Sequence, residues 1–304
     1  MNDRWTVASV LALCLLASAA KADEFDFELG LNYGSTEVTA TTNPGIGPLS
    51  LEVDQDIDAI GLSATWFFDG VVSNEGPRER AAFLAQASSV SLDYLNLDGD
   101  IVFRTISVSP TVPSTEQRSS QSGDTFGLSG RYVWKDSGWY LTGSLVSAEL
   151  EIDGAGGIDT DGYALGVGKY FGNRTAVDVT ISQSDSGSSD DTDVTLSATH
   201  IGDLGSTWQF AVDGRLSSAE ALDADGLYNV GLTLYPSRSF GFGASVGGAL
   251  GGSSFDSTSY DLFATWFPSE AIGVRASVGL VDADEGPDSD TDEDIFSIEG
   301  GFRF

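Results

Sequence analysis

Apolar and polar residues alternate with a period of two along most of the chain, a pattern typical of β-strands with one apolar face. In residues 270–281, for example, Ile272 and Val274 lie on the apolar face, while Gly273 and Arg275 lie on the other. Most such segments have about 10–12 residues, close to the roughly 9–11 with which a tilted strand crosses a bilayer. Fourteen are predicted, at residues 24–33, 56–68, 87–97, 123–134, 138–149, 161–171, 174–183, 192–201, 206–216, 226–235, 239–249, 257–267, 270–281 and 294–304.

The connections between these segments alternate between two kinds. Every second one is a tight turn, at residues 135–138, 172–173, 203–205, 236–238 and 268–270. The others are longer and polar, at residues 34–55, 98–122, 150–160, 184–191, 217–225, 250–256 and 282–293. Short periplasmic turns and long extracellular loops are the asymmetry of outer-membrane barrels. The stretch 101–108 itself alternates, so loop 98–122 is compatible with an inward-folded constriction or with a strand extended above the membrane.

A soluble β-sandwich or barrel would also alternate. Its strands, however, average about 5–6 residues and bury their apolar faces in one core. Fourteen strands of twice that length have too much apolar surface for a single core, and a closed barrel leaves no backbone unpaired in hydrocarbon. We therefore predict an all-β transmembrane antiparallel up-and-down β-barrel of about 14 strands, located in the cell outer membrane.

Aromatic residues crowd the strand ends next to the tight turns. Because such rings favour the boundary between membrane and water, they predict a periplasmic girdle. Its members would be Trp66, Phe67, Phe68, Tyr132, Trp134, Tyr170, Phe171, Tyr235, Trp266 and Phe267.

Residues 1–22 have the features of a cleaved signal peptide. Arg4 supplies the positive charge, residues 7–17 form an apolar run, and residues 20–22 form an A-x-A cleavage site. The apolar run is too short to span a bilayer as a helix, and no later stretch is apolar for 18 residues. The single cysteine, Cys14, lies inside the signal. Residues 23–304 are then expected to form one transmembrane barrel domain.

The last segment ends in Phe304 and places Phe302, Ile298 and Phe296 on the same face. This arrangement resembles the C-terminal signature that is read by the barrel-assembly machinery. We therefore expect Phe302 and Phe304 to act as an assembly signal.

One turn on the short side is unusually long, at residues 69–86. Its Gly76-Pro77, its Ala81-Ala82-Phe83-Leu84 and the following residues 87–91 resemble the general porins of Proteobacteria. The resemblance implies a channel-forming outer-membrane barrel without catalytic residues. From its residues alone, the turn is expected to form a short amphipathic helix that packs Phe83 and Leu84 under the barrel.

The chain is strongly acidic, with a formal net charge of −32. This charge argues against nucleic acid as a partner, since phosphates need a basic face. Barrel hydrolases need a histidine base beside a nucleophile, and the single histidine, His200, is predicted to point outward near a tight turn. No enzyme activity and no cofactor are therefore expected. Hatch and plug domains, which fatty-acid transporters and TonB-dependent receptors need, are not expected either.

Fourteen strands give a barrel backbone about 28 Å wide, which leaves room for water if the inward side chains are small. Gly61, Ser63, Gly127 and Ser129 are such residues. The charged residues predicted to line the pore are Asp93, Arg131, Arg174, Asp178, Asp213, Arg215, Asp261, Arg275, Glu299 and Arg303. We further expect Arg275 to face Glu299 and Arg303 to lie near Asp26.

These features predict a porin, a passive channel for small hydrophilic solutes and ions. The alternative is a structural or adhesive barrel with a blocked lumen. Acidic residues in the long loops predict a channel that prefers cations. Solubility, or divalent bridges to lipopolysaccharide phosphates, would explain these acidic residues equally well. They are Asp185, Asp190, Asp191, Asp193, Glu220, Asp223, Asp225, Asp282, Asp284, Glu285, Asp288, Asp290, Asp292, Glu293 and Asp294. Among them, Asp288, Asp290 and Asp292 are candidates for weak divalent cation binding. The partners expected are membrane lipid and lipopolysaccharide.

Overall fold

The computed structural model describes residues 24–42, 49–72, 75–107, 114–187, 190–219, 224–251, 256–284 and 289–304. Within them, fourteen antiparallel strands form a closed barrel in which each strand pairs with its neighbours in sequence and the last pairs with the first. The strands are β1 Glu24–Thr42, β2 Leu49–Val72, β3 Ser89–Ser107, β4 Thr115–Trp134, β5 Trp139–Ile152, β6 Gly156–Phe171, β7 Thr175–Asp185, β8 Asp190–Leu204, β9 Trp208–Ala219, β10 Ala224–Ser237, β11 Phe240–Leu250, β12 Asp256–Trp266, β13 Ile272–Asp284 and β14 Ser289–Arg303.

The predicted fold is confirmed by this architecture. The predicted signal peptide, residues 1–22, lies outside the described residues. A 3-10 turn, Arg78–Arg80, and a short helix α1, Ala81–Leu84, lie between β2 and β3. No helix in the described part of the chain is long and apolar enough to cross a membrane.

Backbone hydrogen bonds of the final residue, Phe304, join the last strand to the first and close the sheet into a barrel. The backbone N–H of Phe304 donates to Phe27 O at 3.0 Å, and Phe304 O accepts from the N–H groups of Phe27 at 3.0 Å and Asp26 at 3.1 Å. Beyond these bonds, β1 and β14 pair from Glu28↔Arg303 to Thr42↔Ser289. Backbone groups on both terminal strands are thereby hydrogen-bonded inside the sheet, as a bilayer requires.

The period-two pattern separates two surfaces of the barrel. In β4, Phe126 and Leu128 are 61% and 42% exposed on the outer face, while Gly127 and Ser129 point inward. Large apolar side chains are exposed in the same way on the outer face of every strand. An apolar band of this extent belongs against lipid rather than water.

Strands β1 to β4 are longer than the sequence pattern predicts. Residues 35–42, 49–55, 98–107 and 115–122 were expected in loops but continue the ladder away from the short turns. In loop 98–122 the extended strand is therefore observed, and its described residues do not fold into the barrel as a constriction. The extension carries Arg104, which pairs with Glu52 at 2.7 Å and with Asp54. Residues 101–108 alternate, but alternation alone did not distinguish an extended strand from an inward-folded loop.

The aromatic residues at the short-turn ends divide into two groups. Trp66, Phe68, Tyr132, Trp134, Phe171 and Trp266 are exposed on the outside and form the expected girdle. The other four expected members are buried inside the barrel, a correction to the prediction: Phe67, Tyr170, Tyr235 and Phe267. Because neighbouring residues of a strand point to opposite sides, only one of each adjacent pair can face the membrane.

A β-bulge changes the face of Phe25. Alternation places Phe25 and Phe27 on the same outer face, but the register between β1 and β2 shifts between these two residues. Phe27 stays outside, whereas Phe25 turns inward and is 1% exposed. A bulge inserts one unpaired residue and thereby reverses the side-chain parity beyond it.

We predict that deletion of Phe304 strongly reduces the heat-modifiable, folded form of the barrel on unboiled gels. The deletion removes three closing backbone bonds and the ring contacts of Phe304 with Phe27 and Phe302, at 5.6 and 5.7 Å between centroids. Phe304→Ala keeps the backbone bonds and serves as the matched control. It should refold in detergent better than the deletion variant; equal folded yields of the wild type and the deletion variant would contradict this role.

Candidate pore and its periplasmic plug

The inner wall carries small and polar side chains over much of its surface. On the side formed by β3 to β7, Ser91, Ser129, Thr142, Ser144 and Thr180 line a lumen cavity of about 360 Å³. On the opposite side, a second cavity of about 370 Å³ is lined by charged groups that include Arg275 and Glu299. The barrel interior therefore contains polar space rather than a packed apolar core.

Most of the predicted pore-lining charges lie on the inward faces of their strands. These residues are Asp93, Arg131, Asp178, Asp213, Arg215, Asp261, Arg275 and Glu299. Arg131 donates to the Tyr170 hydroxyl at 3.2 Å and lies over the ring of Tyr140. Arg275 and Glu299 are directly opposite each other in the β13–β14 ladder, as expected.

Of the other two predicted pore-lining arginines, Arg303 lines the same cavity as Arg275, whereas Arg174 lies outside the wall. Arg174 precedes β7 and pairs at 2.6 Å with exposed Asp203, near the end of β8, so it belongs to the barrel rim and not to the wall. Arg303 is 6% exposed and pairs with Glu28 at 2.6 Å rather than with Asp26. The β1 bulge shifts the first strand, which brings Glu28 opposite Arg303.

The long turn between β2 and β3 enters the short-turn end of the barrel. We call its residues 75–88 the plug, and we call this end periplasmic because outer-membrane barrels have their short turns there. The plug contains the expected short helix, and its Pro77 and Ala81 are fully buried. Gly76 has a φ of +69°, and a Cβ at this position would come 2.5 Å from Leu84 Cδ1. Glycine therefore allows the turn to fold closely on itself.

Apolar side chains of the plug contact the wall on three sides. Ala81 and Ala87 pack against Phe25, Phe67, Val71, Ala271 and Ile272. These five residues lie around the barrel seam, the place where the first and last strands meet. Leu84 packs against Ile201, Ala211 and Tyr235 of β8 to β10. Phe83 packs against the cluster of Val133, Tyr140, Tyr170 and Ala176 of β4 to β7. The inward aromatic residues, which were predicted to belong to the girdle, thus form part of the wall surface against which the plug packs.

Three consecutive charged residues fasten the plug to the wall. Arg78 pairs with Glu270 at 3.0 Å, and Glu79 accepts from Arg275 at 3.0 Å, Tyr235 Oη at 2.8 Å and Thr265 Oγ1 at 3.2 Å. Arg80 donates to both carboxylate oxygens of Asp213, at 2.6 and 3.3 Å. Charge-assisted and forked bonds of this kind are strong and directional. These roles were not predicted from the sequence, although three charges in a row inside a turn are a signal for them.

The plug therefore reaches from the barrel seam to the opposite wall and lies across the periplasmic end of the lumen. Its backbone is also held, because Arg78 N–H donates to Arg238 O at 2.9 Å and Arg78 O accepts from Arg303 at 2.8 Å. A solute that crosses the barrel must pass beside the plug or displace it.

Acidic residues concentrate at the other, extracellular end. Asp282 and Asp292 are directly opposite each other, and so are Asp185 and Asp190. The exposed carboxylates of Asp282, Asp290 and Asp292 lie within 4.8 Å of one another, whereas the candidate ligand Asp288 lies outside the described residues. Glu220, Asp223 and Glu285 also lie outside them. The weak cation site stays a prediction.

Basic residues are almost confined to the periplasmic half. All twelve basic residues that follow residue 22 lie in the described part of the chain. Of these twelve, only Arg104 and Arg118 lie at the extracellular end. Both bind Glu116, at 3.5 and 3.0 Å. Hydrogen bonds from Arg118, and to a smaller extent from Arg104, lower the pKa of Glu116, so this carboxylate stays ionised at neutral pH.

His200 points outward, as expected. Its Nδ1 lies 2.8 Å from Thr175 Oγ1, and its ring packs near that of Phe210. The contacts of His200 within the described residues are those of an interfacial side chain.

Comparison with known proteins supports the fold. No family model and no curated protein match the chain. Among solved structures, the Acinetobacter baumannii outer membrane protein Omp33 is similar at a TM-score of 0.57 and 18% identity, over 93% of this chain and 100% of that chain. An outer membrane channel from Pseudomonas putida F1 matches at a TM-score of 0.45 and 11% identity, over 94% of this chain and 99% of that chain. The likeness to Omp33 confirms the outer-membrane β-barrel fold.

We predict that Asp213→Asn destabilises the barrel by about 1–2 kcal/mol. It leaves Arg80 without its carboxylate, and a hydrogen bond to a charged group contributes about 1.5–3 kcal/mol, reduced here because both side chains keep some access to water. The measurement is the midpoint of guanidinium unfolding of the refolded barrel in detergent. Asp203→Asn, which breaks an exposed pair outside the plug, is the matched control and should leave the midpoint almost unchanged. Equal midpoints for both variants would argue against an anchored plug.

Proposed function

We propose that the protein is an outer-membrane porin, a passive diffusion channel for small hydrophilic solutes and ions that prefers cations. The observation that carries this proposal is the polar lumen inside a closed barrel with an apolar exterior. Barrels of eight strands are filled by side chains, while those of 16–18 leave an aqueous channel. Fourteen strands with serine, threonine and glycine on the inner wall resemble the second case.

The charge distribution supports the preference for cations. Around the entrance, carboxylates lie in directly opposed pairs on the outer face of the strands, such as Asp58 with Asp98 and Asp56 with Asp100. Like charges at this separation repel each other, and a mouth of one sign concentrates counter-ions. Cations are therefore enriched at the entrance, and solutes reach the basic residues of the lumen only beyond it.

The plug favours the alternative function, a structural or adhesive barrel with a blocked lumen. The two functions differ in whether the wild-type protein conducts, and a variant in which residues 75–86, most of the plug, are replaced by a short Gly-Ser turn serves as the reference. A channel whose exit is narrowed by the plug should conduct in the wild-type form and conduct more ions without the plug. A structural barrel that the plug blocks should be silent in the wild-type form, although it is folded.

We predict a reversal potential of the cation-selective sign when the refolded protein separates two potassium chloride solutions in a planar bilayer. The preference should fade as salt rises, because the screening length falls from about 8 Å at physiological salt to about 3 Å at 1 M. Replacement of the acidic residues in 282–294 by their amides should reduce the potential. Replacement of the same number of periplasmic acids, starting with Asp136 and Asp203, is the control and should change it less.

An anion-selective potential would contradict the preference but not the channel. Absence of conductance from wild-type barrels that are heat-modifiable and folded would contradict the channel itself and leave the structural role.

A further inference from the structure

We propose that the plug is a gate whose ionic contacts are exchangeable: when it leaves the lumen, the wall residues that held it pair with other charges of the wall. The proposal rests on the channel function above. It concerns two wall residues, Arg275 and Asp213, which bind Glu79 and Arg80 of the plug at 3.0 and 2.6 Å.

The first exchange involves Glu299. This residue is the direct cross-strand neighbour of Arg275 in the β13–β14 ladder, and it makes no ion pair within the described part of the chain. Glu79, Arg275 and Glu299 all line the cavity of about 370 Å³ between the plug and the wall. The Arg275 side chain therefore has space to move from Glu79 to Glu299 without a change in the backbone.

The second exchange involves Arg215. It follows Asp213 by two residues on the same inward face of β9, is exposed to the lumen, and has no ion-pair partner among the residues that the structure describes. Asp213 is held by Arg80 and also accepts from Thr199 at 2.8 Å. Once Arg80 has left, Arg215 is the cation on the same strand face that can replace it.

The exchange lowers the free energy of the open state. Removal of one partner from a partly buried ion pair leaves an uncompensated charge and is strongly unfavourable. Here each wall charge that loses the plug gains a neighbour of opposite sign, so the two plug pairs are replaced by two wall pairs. The remaining resistance to opening comes from Arg78, from the backbone bonds of the plug and from its apolar contacts.

Arg303 shows the contrasting arrangement. It pairs with Glu28, which is also a wall residue, and lies over the rings of Phe25 and Phe267, each at 4.8 Å. The ion pair of Arg303 therefore joins the first and last strands whether or not the plug is seated. The wall thus has fixed charge pairs at the seam and exchangeable pairs where the plug docks.

Single-channel recordings of the full protein in planar bilayers test the exchange through the open probability. Glu79→Gln weakens the seated plug and should raise the open probability. Glu299→Gln touches no part of the plug, but it removes the open-state partner of Arg275 and should lower the open probability roughly two- to five-fold, the range expected for one exposed ion pair. Asp93→Asn removes another lumen carboxylate, remote from the plug and without an ion pair, and should change the open probability much less than Glu299→Gln does.

The double variant Glu79→Gln/Glu299→Gln separates exchange from general damage to the barrel. In this double variant, Arg275 lacks its acidic partner in both the closed and the open state, so the open probability should return toward that of the wild type. Heat modifiability confirms that each variant is folded. An effect of Glu299→Gln equal to that of Asp93→Asn, or the same direction of change for Glu79→Gln and Glu299→Gln, would overturn the exchange while the channel function stands. Silence of all folded variants, including the one without the plug, would overturn both.

Discussion

The structure depends on one constraint: hydrocarbon offers no hydrogen-bond partner, so every backbone group at membrane depth must bond within the protein. A sheet meets this constraint only when its first and last strands pair. Here the last residue, Phe304, bonds to Phe27 through both its N–H and its C=O groups. The Glu28–Arg303 ion pair crosses the same seam one position further along. Closure then makes the two faces of every strand into two surfaces, one against lipid and one around the lumen.

The two ends of the barrel carry different arrangements of charge. At the extracellular end, carboxylates lie opposite one another across neighbouring strands. At the periplasmic end, arginines of the wall and the plug are matched by acids at hydrogen-bond distance. The first arrangement attracts mobile cations, whereas the second holds a segment of the chain in place. Placement of the few basic residues near the plug thus accounts for both the acidic entrance and the fastened exit.

Much of the fold could be predicted from sequence because alternation is local. The periplasmic strand ends, the outer face of residues 270–281 and the Arg275–Glu299 register all follow from period two and from short connections. The extension of β3 around Arg104 also alternates, but a polar segment of this kind is equally compatible with an inward-folded loop, so its pattern did not decide between the two. The β1 bulge, which turns Phe25 inward and brings Glu28 to Arg303, depends on pairing with two other strands. Tyr235 and Tyr170 were assigned to the girdle because nothing near them in sequence indicates the plug, which is at least about 80 residues away along the chain.

The central claim is that one face of each strand meets lipid and the other meets water. Single cysteines at Leu128 and Ser129, neighbours on β4, test it directly. With Cys14 removed or replaced, each variant is reconstituted in lipid vesicles and treated with a charged, membrane-impermeant thiol reagent. The account predicts fast modification at position 129, inside the lumen, and protection at position 128. Protection at 129 together with modification at 128 would contradict it.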